Sequence, residues 1–497
     1  MTNTLQNLQP QLVWKYFSEI AQVPRPSKHE ERISQYILDT AKKLGLKAKQ
    51  DKFMNVVVHK PATKGKENVK SICLQGHLDM VCEKNADKVH DFMKDPIELV
   101  VKGNVLMANG TTLGADNGIA VATMLAIAED KSLEHGALEL LFTIDEETGL
   151  TGAANLQKGF VQSKTMMNLD SEEEGALYVG CSGGKDTTGT WKIIWEKVPN
   201  TFVGFSLEVK GLKGGHSGLE IDKGRGNAVK IINRVLIKLS ALGSRLSAIK
   251  GGDKRNAIPR ECSATILVPK KSVSDVQKIV SEMNTTIKAE LSTVEPDLQI
   301  SVSEIPPSKG KSKTRLVEKK EKLKALKKVA QRKLLQTISA LPHGVMKMSA
   351  DIPGLVETST NVASIVTMEK EILIATSQRS SVASEILEIV ETVENIFLLG
   401  GASVKHSDGY PGWKPDMNSA ILKTAKETYK QLYKKEPAVK AIHAGLECGI
   451  IGERFPGMDM VSFGPTMEGV HSPDEKLYID TVDKFWKFLL AILKNVN

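Results

Sequence analysis

The sequence predicts an α/β protein: a mixed central sheet flanked by helices, carrying an inserted α+β domain. Three observations lead there. Short apolar runs at 53–58, 71–75, 138–144 and 165–169 read as buried strands, with a helical stretch at 117–129 between two of them. From about 187 the pattern changes to half-exposed alternation, and after about 402 the α/β texture returns. At 497 residues the chain also exceeds what one hydrophobic core supports. One domain is therefore expected over 1–186 and 402–497, with 187–401 inserted in it.

The elements follow in order. Ser27 to Glu30 has the spacing of a capping box, and Ile33, Ile37 and Leu44 then mark a helix that Gly45 stops. The four apolar runs and the 117–129 helix build the sheet. In the insert, residues 202–211 alternate as a strand, a helix covers 226–242, and a strand-helix pair fills 262–292. Strands at 362–368 and 371–377 and a helix near 381–399 close it; a further strand is expected at 459–463.

Composition excludes several function classes. No apolar run reaches the roughly 18 residues that span a bilayer, and the amino terminus lacks the layout of a secretory signal, so a cytoplasmic protein is expected. Five scattered cysteines without a C-x-x-C pair fit reduced thiols, so any metal must use histidine and carboxylate. The formal charge of +8 resides in residues 309–333, where twelve Lys or Arg meet only Glu318 and Glu321; the rest sums to about −2. Leu316, Leu323, Leu326, Ala330 and Leu334 recur there at helical spacing, so the segment reads as an amphipathic helix with a solvated basic face. Neither a nucleic acid nor a membrane is expected as partner.

Five segments carry candidate chemistry, each just past a predicted strand or at a helix start, where open α/β sheets place ligand sites. In Gly76-His77-Leu78-Asp79 the extended backbone points His77 and Asp79 to one side, which suits a carboxylate orienting an imidazole. An isolated pair of this kind is more often a structural hydrogen bond. Asp116, between Gly114 and Gly118, reads as a helix N-cap or as a ligand. Asp145, Glu146 and Glu147 close a very apolar strand, where three acids repel unless they are solvated or a cation compensates them. Asp170 ends another apolar run, and His471 lies in a glycine-rich loop after the 459–463 strand. Together they offer the nitrogen and oxygen donors that zinc accepts.

The segments GHLDM, LGADNG, DEETGLTGA, NLDSEEEG, KGGHSG, NAIPR and GPTMEGVHSPDE resemble, in order and approximate spacing, the M20 metallopeptidases, most closely the aminoacyl-histidine (Xaa-His) dipeptidase branch. The resemblance covers nearly the whole chain. It implies a two-zinc exopeptidase-like catalytic domain with a lid and dimerisation domain inserted, acting on dipeptides with free termini. It implies that Asp116 bridges two zinc ions, with His77 and Asp170 at one and Glu147 and His471 at the other. Mn2+ or Co2+ can occupy such donors as well. Glu146 is then the general base acting on a bridging hydroxide, and Asp79 orients His77. His216, in Lys213-Gly214-Gly215-His216, would stabilise the oxyanion, often from the partner subunit of a homodimer. Asn256 and Arg379 would hold the substrate carboxylate, and Glu447 would meet the substrate amino group or serve the structure. Rival expectations are an N-acyl amino acid deacylase, a tripeptidase or a carboxypeptidase on the same scaffold, and, from another class, a non-catalytic binding protein.

Overall fold

The computed structural model describes residues 5–306 and 324–496, which form two compact units: 5–181 with 413–442 and 446–496, and 182–412 with 443–445. The chain enters the second unit at Ser182 because the strand Gly183–Lys192 pairs wholly within the second unit's sheet.

In the first unit eight strands lie in the order Lys47–Gln50, Val56–Lys60, Leu138–Thr143, Ile72–His77, Thr165–Asn168, Asp459–Ser462, Ala176–Cys181, Ala438–Ile442. The four in the middle of this order, from Leu138–Thr143 to Asp459–Ser462, pair in parallel, and antiparallel neighbours flank them. Every residue of Ile72–His77 and Leu138–Thr143 is buried, as continuous apolar runs demand of strands covered on both faces. The helix Ala115–Glu129 packs on Ile72–His77 and is buried on all sides from Asn117 to Ala128, so it has no polar face. Parallel pairing sends the carboxyl ends of the four central strands to one edge, and residues 77–79, 145–147, 170 and 464–475 follow from that edge.

The capping box at Ser27 is not formed. Ser27 Oγ instead donates to Asp79 Oδ2 at 2.8 Å, and Glu30 Oε1 accepts the amide of Lys28. A tertiary carboxylate wins the hydroxyl from the local cap, and the helix Glu31–Lys43 starts without a side-chain cap. Gly45, at φ +71°, ends that helix region as expected.

The second unit is built on an antiparallel sheet in the order Gln299–Glu304, Phe202–Lys210, Cys262–Pro269, Arg245–Gly251, Val356–Thr367, Glu371–Ser380, Gly183–Lys192, Ser403–His406, with Gly344–Met348 also on Val356–Thr367. Phe205, Leu207 and Val209 alternate into its core, where residues of the neighbouring strands such as Ile249, Ile266 and Ile374 meet the helices Ala228–Ser240, Val273–Leu291, Lys328–Ala340 and Ala383–Leu399. Residues 309–323 of the basic stretch lie outside the described residues. Beyond them the single long helix expected is interrupted: Lys324–Leu326 is a strand paired with Trp195–Lys197, and the helix begins at Lys328. Leu326 is buried by that pairing, which helical periodicity could not reveal. Among the described residues no helix is long and apolar enough to cross a membrane.

Candidate metal centre

The site is assembled at the carboxyl edge of the parallel strands in the first unit. His77 is the last residue of its strand, and Gly76 before it is required, because a Cβ there would stand 2.3 Å from Asn117 Oδ1. Asn117 accepts the His77 amide and donates to the Leu169 carbonyl at 3.0 Å, which joins the segments bearing His77, Asp116 and Asp170. Asp116 is not the N-cap of the helix Ala115–Glu129, a position held by Gly114, and its carboxylate is turned to the histidines.

That carboxylate divides its oxygens. Oδ1 lies 3.1 Å from His77 Nε2, and Oδ2 lies 3.1 Å from His471 Nε2. Asp170 Oδ1 stands 3.4 Å from His77 Nε2, and Glu147 Oε2 stands 3.0 Å from His471 Nε2. Two groups of donors able to hold a cation result, His77-Asp116-Asp170 and Asp116-Glu147-His471, and they share Asp116. Cysteine contributes to neither group; Cys73, Cys181, Cys262 and Cys448 are buried free thiols, and Cys82 is half-buried and free.

The surroundings fix these groups. His77 Nδ1 lies 3.3 Å from Asp79 Oδ1, leaving Nε2 for the centre. Asp79 also accepts the amides of Glu146 at 3.0 Å and Glu147 at 3.2 Å, so one buried carboxylate orients the imidazole and the acidic turn together. The third acid, Asp145, takes the hydroxyls of Thr148 and Thr151 and serves as a turn anchor.

The residues fit a pair of divalent cations. Glu147 Oε1 and Asp170 Oδ1 are buried without a hydrogen-bond partner, and carboxylate oxygens are left so only when a positive charge or a proton compensates them. Protons do so in the metal-free protein. Burial and the carboxylates Asp116 and Glu147 push Asp170 up to about 7, although His77 opposes them. Burial opposes charge on His77, but Asp170, Asp116 and Asp79 outweigh it and hold its pKa well above the ordinary value. Hydrogen bonds to Asp116 and Glu147 raise His471 to about 11. A cation must displace these protons, so metal affinity is expected to rise with pH through neutrality. Calorimetric titration of zinc into metal-free protein in two buffers of different ionisation enthalpy checks this; equal heats would contradict it.

The remaining expected site residues fall in two places. Glu447, in the first unit, is fully buried, and its Oε2 accepts from Gln75 at 2.6 Å and Thr143 at 2.7 Å. Burial chiefly raises it to about 8. His216, Asn256 and Arg379 belong to the second unit. His216 Nδ1 accepts the amides of Gly218 and Leu219, which leaves the proton on Nε2. Burial, then Arg379, lowers it to about 4, so the ring is a neutral donor at pH 7. Its neighbour Asn256 is exposed, and both line a groove of about 1100 Å3 with Lys213 and Arg260. Arg379 is buried, donates to Tyr410 Oη at 2.9 Å and stands opposite Ser359 across the sheet.

Three buried ionisable residues are not marked by the sequence pattern. His443 bonds Ser359 Oγ through Nε2 at 2.7 Å, and burial, then Arg379 and His216, lowers it to about 3. Arg25 and Glu475 pack on the turn carrying Asp116. Glu475 stands inside the GPTMEGVHSPDE segment, which was the available signal; nothing local marks Arg25 or His443.

Paired histidine-carboxylate groups sharing one aspartate, at the carboxyl edge of a parallel sheet, define a metal-dependent centre. Residues 73–495 match Peptidase family M20/M25/M40, and the chain belongs to that family; it is a metallopeptidase and so a hydrolase. It is 41% identical over 493 residues to the cytosol non-specific dipeptidase of Escherichia coli (strain K12), covering 99% of each chain. The crystal structure of an aminoacylhistidine dipeptidase from Vibrio alginolyticus matches with a TM-score of 0.90 and 40% identity, over 100% of this chain and 99% of that one. A tripeptidase from Staphylococcus aureus subsp. aureus mu50 shares the fold at a TM-score of 0.57 and 16% identity, over 98% of this chain and 99% of that one.

Proposed function

We propose that this enzyme hydrolyses the peptide bond of dipeptides with free termini, Xaa-His among them, with Glu146 as general base and with two zinc ions that His77, Asp116 and Asp170 and Asp116, Glu147 and His471 would hold. The observation that carries the reading is the division of the Asp116 carboxylate between His77 and His471, with a further acid, Glu146, beside them. The dipeptidases of E. coli and V. alginolyticus, alike over nearly their whole lengths, support the substrate class.

When bound, the cations supply Lewis-acid polarisation of the scissile carbonyl and make water acidic enough to lose a proton near neutrality. Glu146 takes that proton and returns it to the leaving amine. In the metal-free protein burial raises its pKa well above the ordinary value, and Asp170, Glu447 and Glu147 add to this against His77; cations bound beside it would lower that pKa and leave the carboxylate free to accept the proton. Asp79 keeps His77 in one orientation. His216, neutral with its proton on Nε2, donates to the oxyanion, and Asn256 and Arg379 hold the substrate carboxylate. Of the two roles expected for Glu447, its burial against Gln75 and Thr143 favours the structural one.

Catalysis is assigned to the first unit and the lid and dimerisation roles to the second, whose bounds, 182–412 with 443–445, stand in place of the expected 187–401 because the strands Gly183–Lys192 and Ser403–His406 pair within its sheet. The protein is proposed to be a cytoplasmic homodimer; light scattering that finds a fully active monomer would overturn that assembly. Metal analysis of protein purified from its own cells separates zinc from Mn2+ or Co2+.

The deciding experiment is a panel of free dipeptides, tripeptides and N-acylated amino acids given to metal-loaded protein. Turnover of the free dipeptides alone is expected. Faster cleavage of the blocked substrates would make the enzyme a deacylase, and intact dipeptides would end the present reading. On the preferred dipeptide, His216→Ala is expected to lower kcat by about 10² to 10³ with metal content unchanged; an unaltered kcat would remove His216 from the oxyanion role.

A further inference from the structure

The carboxylate shared by the two histidines sits on the turn Leu113–Asp116, and two buried, oppositely charged side chains grip that turn. Glu475, 1% exposed, accepts the amides of Leu113 at 2.8 Å and Gly114 at 3.0 Å on Oε2. Its Oε1 accepts those of Ala115 at 2.8 Å and Asp116 at 3.4 Å. Arg25, 4% exposed, donates through Nη2 to the Gly114 carbonyl and through Nη1 to the carbonyls of Leu78 and Asp79, each at 2.9 Å. Gly114 is therefore held at its N–H by the acid and at its C=O by the base. No side chain fits there: Gly114 has φ +68°, and a Cβ would lie 2.6 Å from Arg25 Nη2 and 2.8 Å from Met80 Sδ.

The connections run between segments that carry metal donors. Glu475 comes four residues after His471, and Arg25 holds the two residues directly after His77. Asp79, which orients His77, is bonded by Ser27, two residues beyond Arg25. One acid and one guanidinium thus tie 77–79, 113–116 and 471–475 together while contributing no donor atom to either group of ligands. The planar fork of arginine suits three carbonyls at fixed angles, a task the point charge of lysine performs poorly.

We propose that Arg25 and Glu475 are positioning residues that set the placement of the Asp116 carboxylate between His77 and His471, and so determine how tightly both metal positions are held. The inference rests on the two-metal reading above, but metal binding tests it whatever the substrate is. Full-length Glu475→Gln, Glu475→Asp and Arg25→Lys are stripped of metal, titrated with Co2+ followed by its visible spectrum, and competed with a chelator. Glu475→Gln and Arg25→Lys are expected to bind Co2+ about 10- to 100-fold more weakly than wild type. Glu475→Asp, which keeps the charge, is expected to fall between. At saturating metal, kcat is expected to fall more than KM changes. The melting temperature of each metal-free variant is measured alongside. A lowered melting temperature with wild-type Co2+ affinity and spectrum would reduce the pair to a structural role and overturn the proposal. Weakened Co2+ binding in a chain that leaves dipeptides intact would uphold the clamp while defeating the dipeptidase reading. If Glu475→Gln does not fold, Arg25→Lys and Glu475→Asp decide by the same criterion.

Discussion

Alanine at position 146 is expected to leave metal content at the wild-type level while kcat falls by about 10² to 10⁴, or roughly 3 to 5 kcal/mol of transition-state stabilisation. The expectation separates two adjacent acids that sequence alone barely distinguishes. Glu147 is committed to the histidine of the second group, with Oε2 3.0 Å from His471 Nε2. Glu146 lies near the same donors, and His77, Glu146 and Glu147 also converge closely enough to hold an ion. Metal content measured beside kinetics therefore decides the assignment. A Glu146→Ala protein that loses metal would make Glu146 a ligand, and one that keeps both metal and activity would leave the base to be found elsewhere. Glu147→Ala is the control, since it should lose metal.

The second large effect concerns Asp116. Its two oxygens serve two histidines, so Asp116→Ala removes a donor from both groups at once and leaves Asp170 and Glu147 to repel one another across the gap. Metal affinity is expected to fall by more than the roughly 100-fold typical of losing a supporting partner, and activity to background. Elemental analysis after gel filtration reads this directly. Retention of two ions per chain would show that Asp116 does not bridge. Asp116→Asn should be milder, because it preserves shape and one acceptor oxygen.

The sequence by itself determined the elements whose causes are local. Runs such as 138–144 are apolar enough to be strands covered on both faces, and Leu138–Thr143 is fully buried. His77, Asp116, the acids 145–147, Asp170 and His471 could be picked out because a donor-type residue beside a buried element, repeated in five segments, is seldom a coincidence; the choice of Glu147 among the three acids came from the family resemblance. The alternation Phe205, Leu207, Val209 and the stop at Gly45 were legible because each depends only on its near neighbours in the chain.

Tertiary structure alone decided what depends on a distant competitor. The Ser27 hydroxyl had a sound local use as a helix cap and lost it to Asp79, 52 residues away. Leu326 fitted a helical stripe until a strand at Trp195–Lys197 paired with it. Nothing local marks Arg25 and only its place in the GPTMEGVHSPDE segment marks Glu475, yet both are buried because the amides of the Asp116 turn, and the carbonyls of Leu78, Asp79 and Gly114, replace their water. Periodicity reports which face of an element is apolar, whereas a buried charge is stabilised only by partners that folding brings from elsewhere in the chain. For that reason the side chains that converge on Asp116 could be proposed from the sequence, and the groups that hold them in place could not.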